Sequence, residues 1–323
     1  MNTWHSEKNK TGFSIIICAF NAEKRLEETL RHLSKLEIPN DIEIELIVVN
    51  NNSTDKTNQV ALETWKRYGN PYPLSIIDEP LPGLSHARRK GVLASKYTFG
   101  IFCDDDNWLD SRYVVEALDI FLKHQHVGII GGCSTPVADI RLPAWFYTKC
   151  SSFAVGTQSD VDGDITWRKF VWGAGMCFRT WPLKLIYLKN IQHLTSDRKA
   201  DTLTSGGDGE ISAWFIFLGY RLHYSSNLKF RHYMSENRLT HEYYDKFFNL
   251  KHPSLWSTYS SYLTVKYFLD KDKGGIIGII KYILVYAYSM TTLIKDFPEA
   301  FNIISIERQI KNTKQVSKTV NCP

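Results

Sequence analysis

Five short apolar runs rich in β-branched residues, separated by stretches of helical spacing, constrain the first half of this chain more than any other feature. The runs are Phe13 to Phe20, Ile44 to Val49, Leu74 to Ile77, Tyr97 to Cys103 and Val127 to Gly131. Between them, Ala22 to Leu36, Asp55 to Tyr68, Leu84 to Ser95 and Asp110 to Lys123 place apolar residues at helical intervals. Strands alternating with helices predict βαβ units, and hence an α/β fold with a mostly parallel, Rossmann-like central sheet and flanking helices. Ligands in such sheets bind beyond the carboxyl ends of the strands.

Four of those ends are polar. Asn21 follows the first run, Asn50-Asn51-Asn52-Ser53 the second, Asp78-Glu79 the third and Asp104-Asp105-Asp106 the fourth. Any one of them could be a turn or a helix cap, because Asn and Asp favour both. Four converging on one sheet edge point to a site. No GxGxxG follows the first run, which disfavours a dinucleotide of the NAD type.

The acidic triplet carries the strongest chemical signal. Adjacent carboxylates repel one another unless a cation or hydrogen-bond donors offset them. A hard divalent ion such as Mg²⁺ or Mn²⁺ takes oxygen ligands, usually one or two carboxylates plus substrate phosphates. The alternative is a solvated acidic turn capping a helix that starts near Asp110. A second signal is Ser205-Gly206-Gly207-Asp208-Gly209-Glu210 ahead of an amphipathic stretch from Ile211 to Leu218. Glycines let the backbone approach a ligand, and an acid at a helix start can be aimed into a pocket. A Gly-rich turn with an acidic N-cap fits that motif equally well.

With 323 residues, 43% hydrophobic and 23% charged, the chain is long enough for an enzyme-sized unit followed by a C-terminal extension. Its formal net charge is +5, and the nine Lys/Arg against five Asp/Glu from Lys266 onward hold +4 of that. The remaining body is nearly balanced, which argues against a nucleic-acid partner. The six cysteines are scattered without a CxxC pair, so buried free thiols are expected rather than a zinc site or a disulfide framework. The opening residues show a short apolar run and no small-residue cleavage pattern, which predicts a cytoplasmic chain.

Residues 133 to 172 read as a long loop rich in Pro, Gly and aromatic residues, of the kind that forms lids or binding walls. Gly274 to Ile294 is apolar with Lys281 as its single charge. About twenty helical residues can reach across a bilayer core. The Tyr, Ser and Thr residues in this segment fit better with a helix lying on the inner face of the plasma membrane or packed on the catalytic body. Lys271, Lys273, Arg308, Lys311, Lys314 and Lys318 flank it and would favour anionic lipid.

Taken in order, Ser14 to Asn21, Val48 to Asp55, Ala87-Arg88, Asp104 to Asp106, Gly173-Ala174-Gly175-Met176 and Gly207 to Glu210 resemble family-two glycosyltransferases of the GT-A fold. The resemblance covers roughly residues 12 to 235. It implies a nucleotide-sugar-binding half over 1–110, an acceptor-binding and catalytic half over 111–235, and a C-terminal helical extension over 236–323. Phe20 would stack on the donor base, with Asn21 beside it, and Asn51 would hydrogen-bond the base. Arg88 would contact the diphosphate. Asp104 would face the ribose and metal-bound water, Asp105 would flank it, and Asp106 would bind Mn²⁺ or Mg²⁺. His232 is a further candidate metal ligand, and a structural histidine is its alternative.

By the same resemblance, Trp172, Gly173, Gly175 and Met176 would border the acceptor, Asp208 would be the general base and Glu210 a supporting group. Two departures stand out. Relatives commonly carry Asp where Asn50 to Asn52 are all amides, and Glu where Gly207 stands. The implied activity is an inverting, metal-dependent transfer of a sugar from a nucleotide-diphosphate donor to a glycan or lipid-linked hydroxyl acceptor, in surface polysaccharide assembly. A nucleotidyltransferase that forms sugar nucleotides and an inactive nucleotide-sugar-binding module are the alternatives. The first would normally open with a Gly-rich basic loop, which Cys18 to Ala22 is not.

Overall fold

The computed structural model describes residues 10–195, 206–248, 259–260, 262–263 and 300–319. Nine strands form one sheet. They are β1 (Gly12–Ala19), β2 (Glu43–Asn50), β3 (Leu74–Asp78), β4 (Phe99–Phe102), β5 (Asn107–Leu109), β6 (Val127–Val137), β7 (Gly163–Asp164), β8 (Cys177–Arg179) and β9 (Arg221–Tyr233). Their order is β3-β2-β1-β4-β8-β6-β9-β5, with β7 also on β9. β3, β2, β1, β4, β6 and β9 run in one direction, and β8, β5 and β7 run against them. The sheet is therefore mostly parallel.

β1 is buried along nearly its whole length, as a central strand covered on both faces must be. Ile16 points into one apolar layer with Ile47 and Val49, while Ile15 and Ile17 point into the other with Leu46 and Val48. The second layer is closed by α1 (Leu26–Leu33), α2 (Thr57–Arg67) and α4 (Tyr113–Lys123). The first is closed by α3 (Leu84–Ala94), α6 (Thr180–Leu188) and α7 (Gly207–Phe217). A Cβ at Gly91 would collide with the Ile16 side chain, so glycine lets α3 lie against β1.

Two of the expected helices begin late, each for a local reason. Ala22 and Glu23 give their amide hydrogens to Thr57 Oγ1 and Asp55 Oδ2 of the neighbouring loop, and α1 starts only at Leu26. Asn107 to Leu109 pair with His232 to Phe230 as β5, which postpones α4 to Tyr113. That intervening strand removes the capping explanation for the acidic triplet.

The region expected as loop holds the end of β6, α5 (Ala144–Lys149) and β7. The stretch expected to be amphipathic, Ile211 to Leu218, lies in α7 and is buried almost all round. After β9 come α8 (His241–Phe248) and α9 (Ala300–Thr319). Ile303, Ile306 and Ile310 of α9, together with Tyr259, Tyr262 and Leu263, enter the same apolar layer as Trp214 and Phe217 of α7. Tyr262 donates its hydroxyl proton to Glu307 of α9. No described helix is long and apolar enough to cross a membrane, and Gly274 to Ile294 lies outside the described residues. Of the cysteines described, only Cys103 and Cys177 are fully buried, so the expectation of buried thiols fails for Cys18, Cys133 and Cys150, which are partly exposed.

Candidate active site

β1 leads outward to β2 and β3, and the chain then returns to place β4 on the opposite side of β1. Strand order thus reverses between β1 and β4, the position where an open α/β sheet leaves a crevice. A cavity of about 730 Å³ opens there, within the range of small-molecule sites. Phe20, Asn51, Arg88, the three aspartates Asp104 to Asp106, Trp172, Asp208 and His232 all line it. Phe20 and His232, 212 positions apart in sequence, thus line one cavity.

The aspartates are held differently. Asp105 accepts a bidentate pair from Arg25, Nε at 3.0 Å and Nη2 at 2.8 Å. Burial still pushes its carboxyl up to about 6 against the pull of Arg25. Asp106 Oδ1 lies 3.3 Å from His232 Nε2, and Oδ2 accepts from Arg238 Nη1 at 2.9 Å. Burial alone would raise Asp106, but His232 and Arg238 outweigh it and hold the carboxyl below the usual range. Asp104 is raised by burial, only partly offset by Arg88. Asp105 therefore braces the turn rather than offering a free carboxylate.

Asp208 sits in the first turn of α7 with its side chain 34% exposed. Its Oδ1 accepts from Arg88 Nη1 at 2.6 Å, and its Oδ2 from the Gly173 amide at 2.7 Å. Arg88 is 3% exposed and lies 5.0 Å above the Phe102 ring. The guanidinium expected on the diphosphate is thus, in this structure, committed to Asp208. A Cβ on Gly173 would come closer than 3.0 Å to both Arg88 Nη2 and Asp208 Oδ1, so only glycine fits between them.

Other expected site residues lie off the cavity or are already engaged within the protein. Glu210 is fully buried away from the cavity and accepts from the amides of Leu194 and Thr195, from Thr195 Oγ1, and from Tyr259 Oη at 3.0 Å. His193 Nδ1 stands 3.1 Å away. Glu210 organises the chain around residues 193 to 195, because a side chain two positions on from Asp208 points to roughly the opposite face of the helix, into the interior. Asn51 gives both amide hydrogens to the carbonyls of Glu79 and Leu81 and accepts the Gly83 amide at 2.8 Å, so it shapes the cavity wall and has no hydrogen left for a base. Asn21 binds the Thr54 amide and lies off the cavity. Met176 is core, and Gly175 accepts the Tyr113 hydroxyl through its carbonyl. Arg25, Arg238 and Arg168 line the cavity without having been singled out in the sequence. Their partners lie 80 and 132 positions away in the first two cases, beyond the reach of any local pattern.

The Glycosyl transferase family 2 model matches residues 14–177, just over half the chain and the stretch that runs from β1 through β7 and includes the acidic turn. The chain belongs to that family. Poly(ribitol-phosphate) beta-N-acetylglucosaminyltransferase TarS of Staphylococcus aureus is 27% identical over 120 residues, 36% of this chain and 20% of TarS. Poly-beta-1,6-N-acetyl-D-glucosamine synthase of Staphylococcus epidermidis is 25% identical over 122 residues, 38% of this chain and 28% of the synthase. The matched stretch thus spans less than a third of either relative. The crystal structure of S. aureus TarS 1-349 in complex with UDP-GlcNAc superposes with a TM-score of 0.54 at 17% identity, covering 96% of this chain and 91% of that one. The fold is GT-A.

Proposed function

We propose that the chain transfers a sugar from a nucleotide-diphosphate donor to a hydroxyl acceptor, with inversion at the anomeric carbon. The observation that carries this reading is one cavity at the switch point, lined both by Asp104 and Asp106 of the acidic turn and by Asp208 of α7. Separate acidic groups for the leaving diphosphate and for the acceptor proton are what a single displacement requires.

Each oxygen of Asp208 accepts one donor and keeps a further lone pair for an acceptor hydroxyl. It would take the hydroxyl proton, a general-base effect of about 10²- to 10⁴-fold. Phe20, 40% exposed and lining the same cavity, would offer a ring face to the donor base. One displacement inverts, so an α-linked donor gives a β-linked product.

A divalent cation fits the donor side. The Asp104 carboxylate has no hydrogen-bond donor among the described residues, and its raised pKa reflects a buried acid short of positive charge. No three His, Cys, Asp or Glu side chains among the described residues form a complete ligand set, so the diphosphate itself would complete the shell. Asp106 and Asp104 would hold Mn²⁺ or Mg²⁺, with His232 beside Asp106 as its ion-pair partner, and the cation when bound would stabilise charge on the departing diphosphate. The two relatives named for N-acetylglucosamine make UDP-GlcNAc the first donor to test, and surface-polysaccharide assembly on the cytoplasmic side of the membrane the setting to test it in.

The decisive comparison is between two variants in a donor-binding and a turnover assay. Asp208→Asn should bind UDP-GlcNAc as wild type does and lose transfer by at least about 100-fold. Asp106→Ala, or chelation with EDTA, should weaken UDP-GlcNAc binding itself. Turnover by Asp208→Asn within a fewfold of wild type would refute the base, and donor binding indifferent to both EDTA and Asp106→Ala would refute the cation.

A further inference from the structure

Arg168 lines the cavity and takes no part in the chemistry above. It ends the short helical turn Thr166–Arg168, and its guanidinium lies 4.4 Å from the centre of the Phe170 ring and 5.0 Å from that of Trp172. Its Nη1 donates to Gln158 Oε1 at 2.8 Å, and the same oxygen accepts the Trp172 amide at 2.9 Å. Gln158 is 5% exposed and is fixed in turn by donating to the Gly132 carbonyl at 3.0 Å. Two rings and one amide therefore hold the cation, and all three are neutral.

The other arginines of the cavity wall are matched to carboxylates: Arg25 to Asp105, Arg88 to Asp208 and Arg238 to Asp106. Arg168 forms no ion pair among the described residues, and burial alone acts on it, holding its pKa down to about 10. A guanidinium has five N–H donors, and one is used here. Holding a partly desolvated cation rigid without a counter-charge costs stability, unless a ligand brings the charge.

Its place in the cavity indicates which ligand. Trp172, on which it stacks, directly precedes Gly173, whose amide holds Asp208. Arg168 is thus joined through Trp172 to the segment that holds Asp208, and no carboxylate of the acidic turn pairs with it. We infer that Arg168 is an anion-recognition residue of the acceptor subsite, so that the acceptor carries a phosphodiester or carboxylate group near the hydroxyl that receives the sugar. The inference rests on the transferase reading above and narrows it to anionic acceptors. Contact of the Phe170 and Trp172 rings with the guanidinium uses none of its N–H donors, which leaves those not given to Gln158 for a bidentate contact.

The test is calorimetric titration of the full chain, with and without saturating UDP, at fixed ionic strength. Three oligomers of equal length serve as probes: glycerol phosphate, glucuronate and neutral maltotriose. Wild type should bind one of the charged oligomers about tenfold or more tightly than maltotriose, and the preferred one identifies the anion. Arg168→Gln should abolish that preference, Arg168→Lys should keep part of it, and UDP affinity should stay within about twofold in both, which also reports that they are folded. The idea fails if wild type shows no charge preference or if the preference survives Arg168→Gln. It fails equally if Arg168→Gln lowers UDP affinity while Arg168→Lys does not, since the guanidinium would then serve the donor. Absence of UDP binding by wild type would sink the transferase reading alone, because the titrations without UDP still report the charge preference.

Discussion

A general base must be held firmly while remaining open to its substrate, and Asp208, the base we propose, is held by one arginine and one backbone amide with a third of its side chain exposed. The narrow gap they share explains Gly173. Gly173→Ala would push Arg88 and Asp208 apart, and displacement of about 1 Å at a reacting group costs on the order of 100-fold in rate. We expect kcat to fall by that order with UDP-GlcNAc affinity nearly unchanged, as steady-state kinetics and donor titration would show. Glu210 is a structural counterpart. Burial would raise its carboxyl, but His193, Thr195 and the Leu194 amide hold it below its ordinary 4.5. A depressed folded pKa stabilises the protein above the unfolded value, and the contribution disappears as pH falls through the folded one. Glu210→Gln should therefore cost about 2–3 kcal/mol at pH 7 and progressively less below pH 4.5, read from urea denaturation at both ends of that range. The acids of the site were legible in sequence because clustered carboxylates demand compensation. The compensating arginines were not, because Arg25 and Arg238 become neighbours only through the fold.

Among the elements, β1, β2 and β4 were readable because buried parallel strands are continuous apolar runs, and β3, a partly exposed edge strand, still shows the short run Leu74 to Ile77. β5 and β8 have three residues each and are too short to display any period. β9 has thirteen, but its ladder with β6 jumps register between Tyr224 and Lys229, where Ser225, Ser226 and Asn227 interrupt the apolar alternation. α7 was identified as a helix and misjudged as amphipathic, because α9 and the segment around Tyr259 cover the face that would otherwise meet water. That packing bears on any attempt to study the C-terminal region by deletion. Removing residues after 270 would strip Ile303, Ile306 and Ile310 from the core along with the apolar segment under study. Ile303→Ala alone should cost about 2–5 kcal/mol, visible as a lowered thermal midpoint in the full chain. Charge reversal at the exposed Arg308 and Lys311 is the gentler probe of lipid attraction, and co-sedimentation with anionic vesicles should fall if these residues contribute to it.

For the molecule as a whole, the outline of a donor half and an acceptor half describes where ligands would sit more than how the chain is assembled. β4, from the first half, is hydrogen-bonded to β8 from the second. β5, only a few residues further along, lies at the far edge of the sheet against β9. The acidic turn joining β4 to β5 therefore runs past the amino end of β8 and the carboxyl ends of β6 and β9 like a thread drawn through a seam. Neither piece cut at residue 110 would retain its neighbours, and a protein so laced has no weak plane along which to open in stages. Its slowest-exchanging amides, in β1 and in β6 alike, should surrender their protons at a single common free energy when followed in deuterium under mild denaturant.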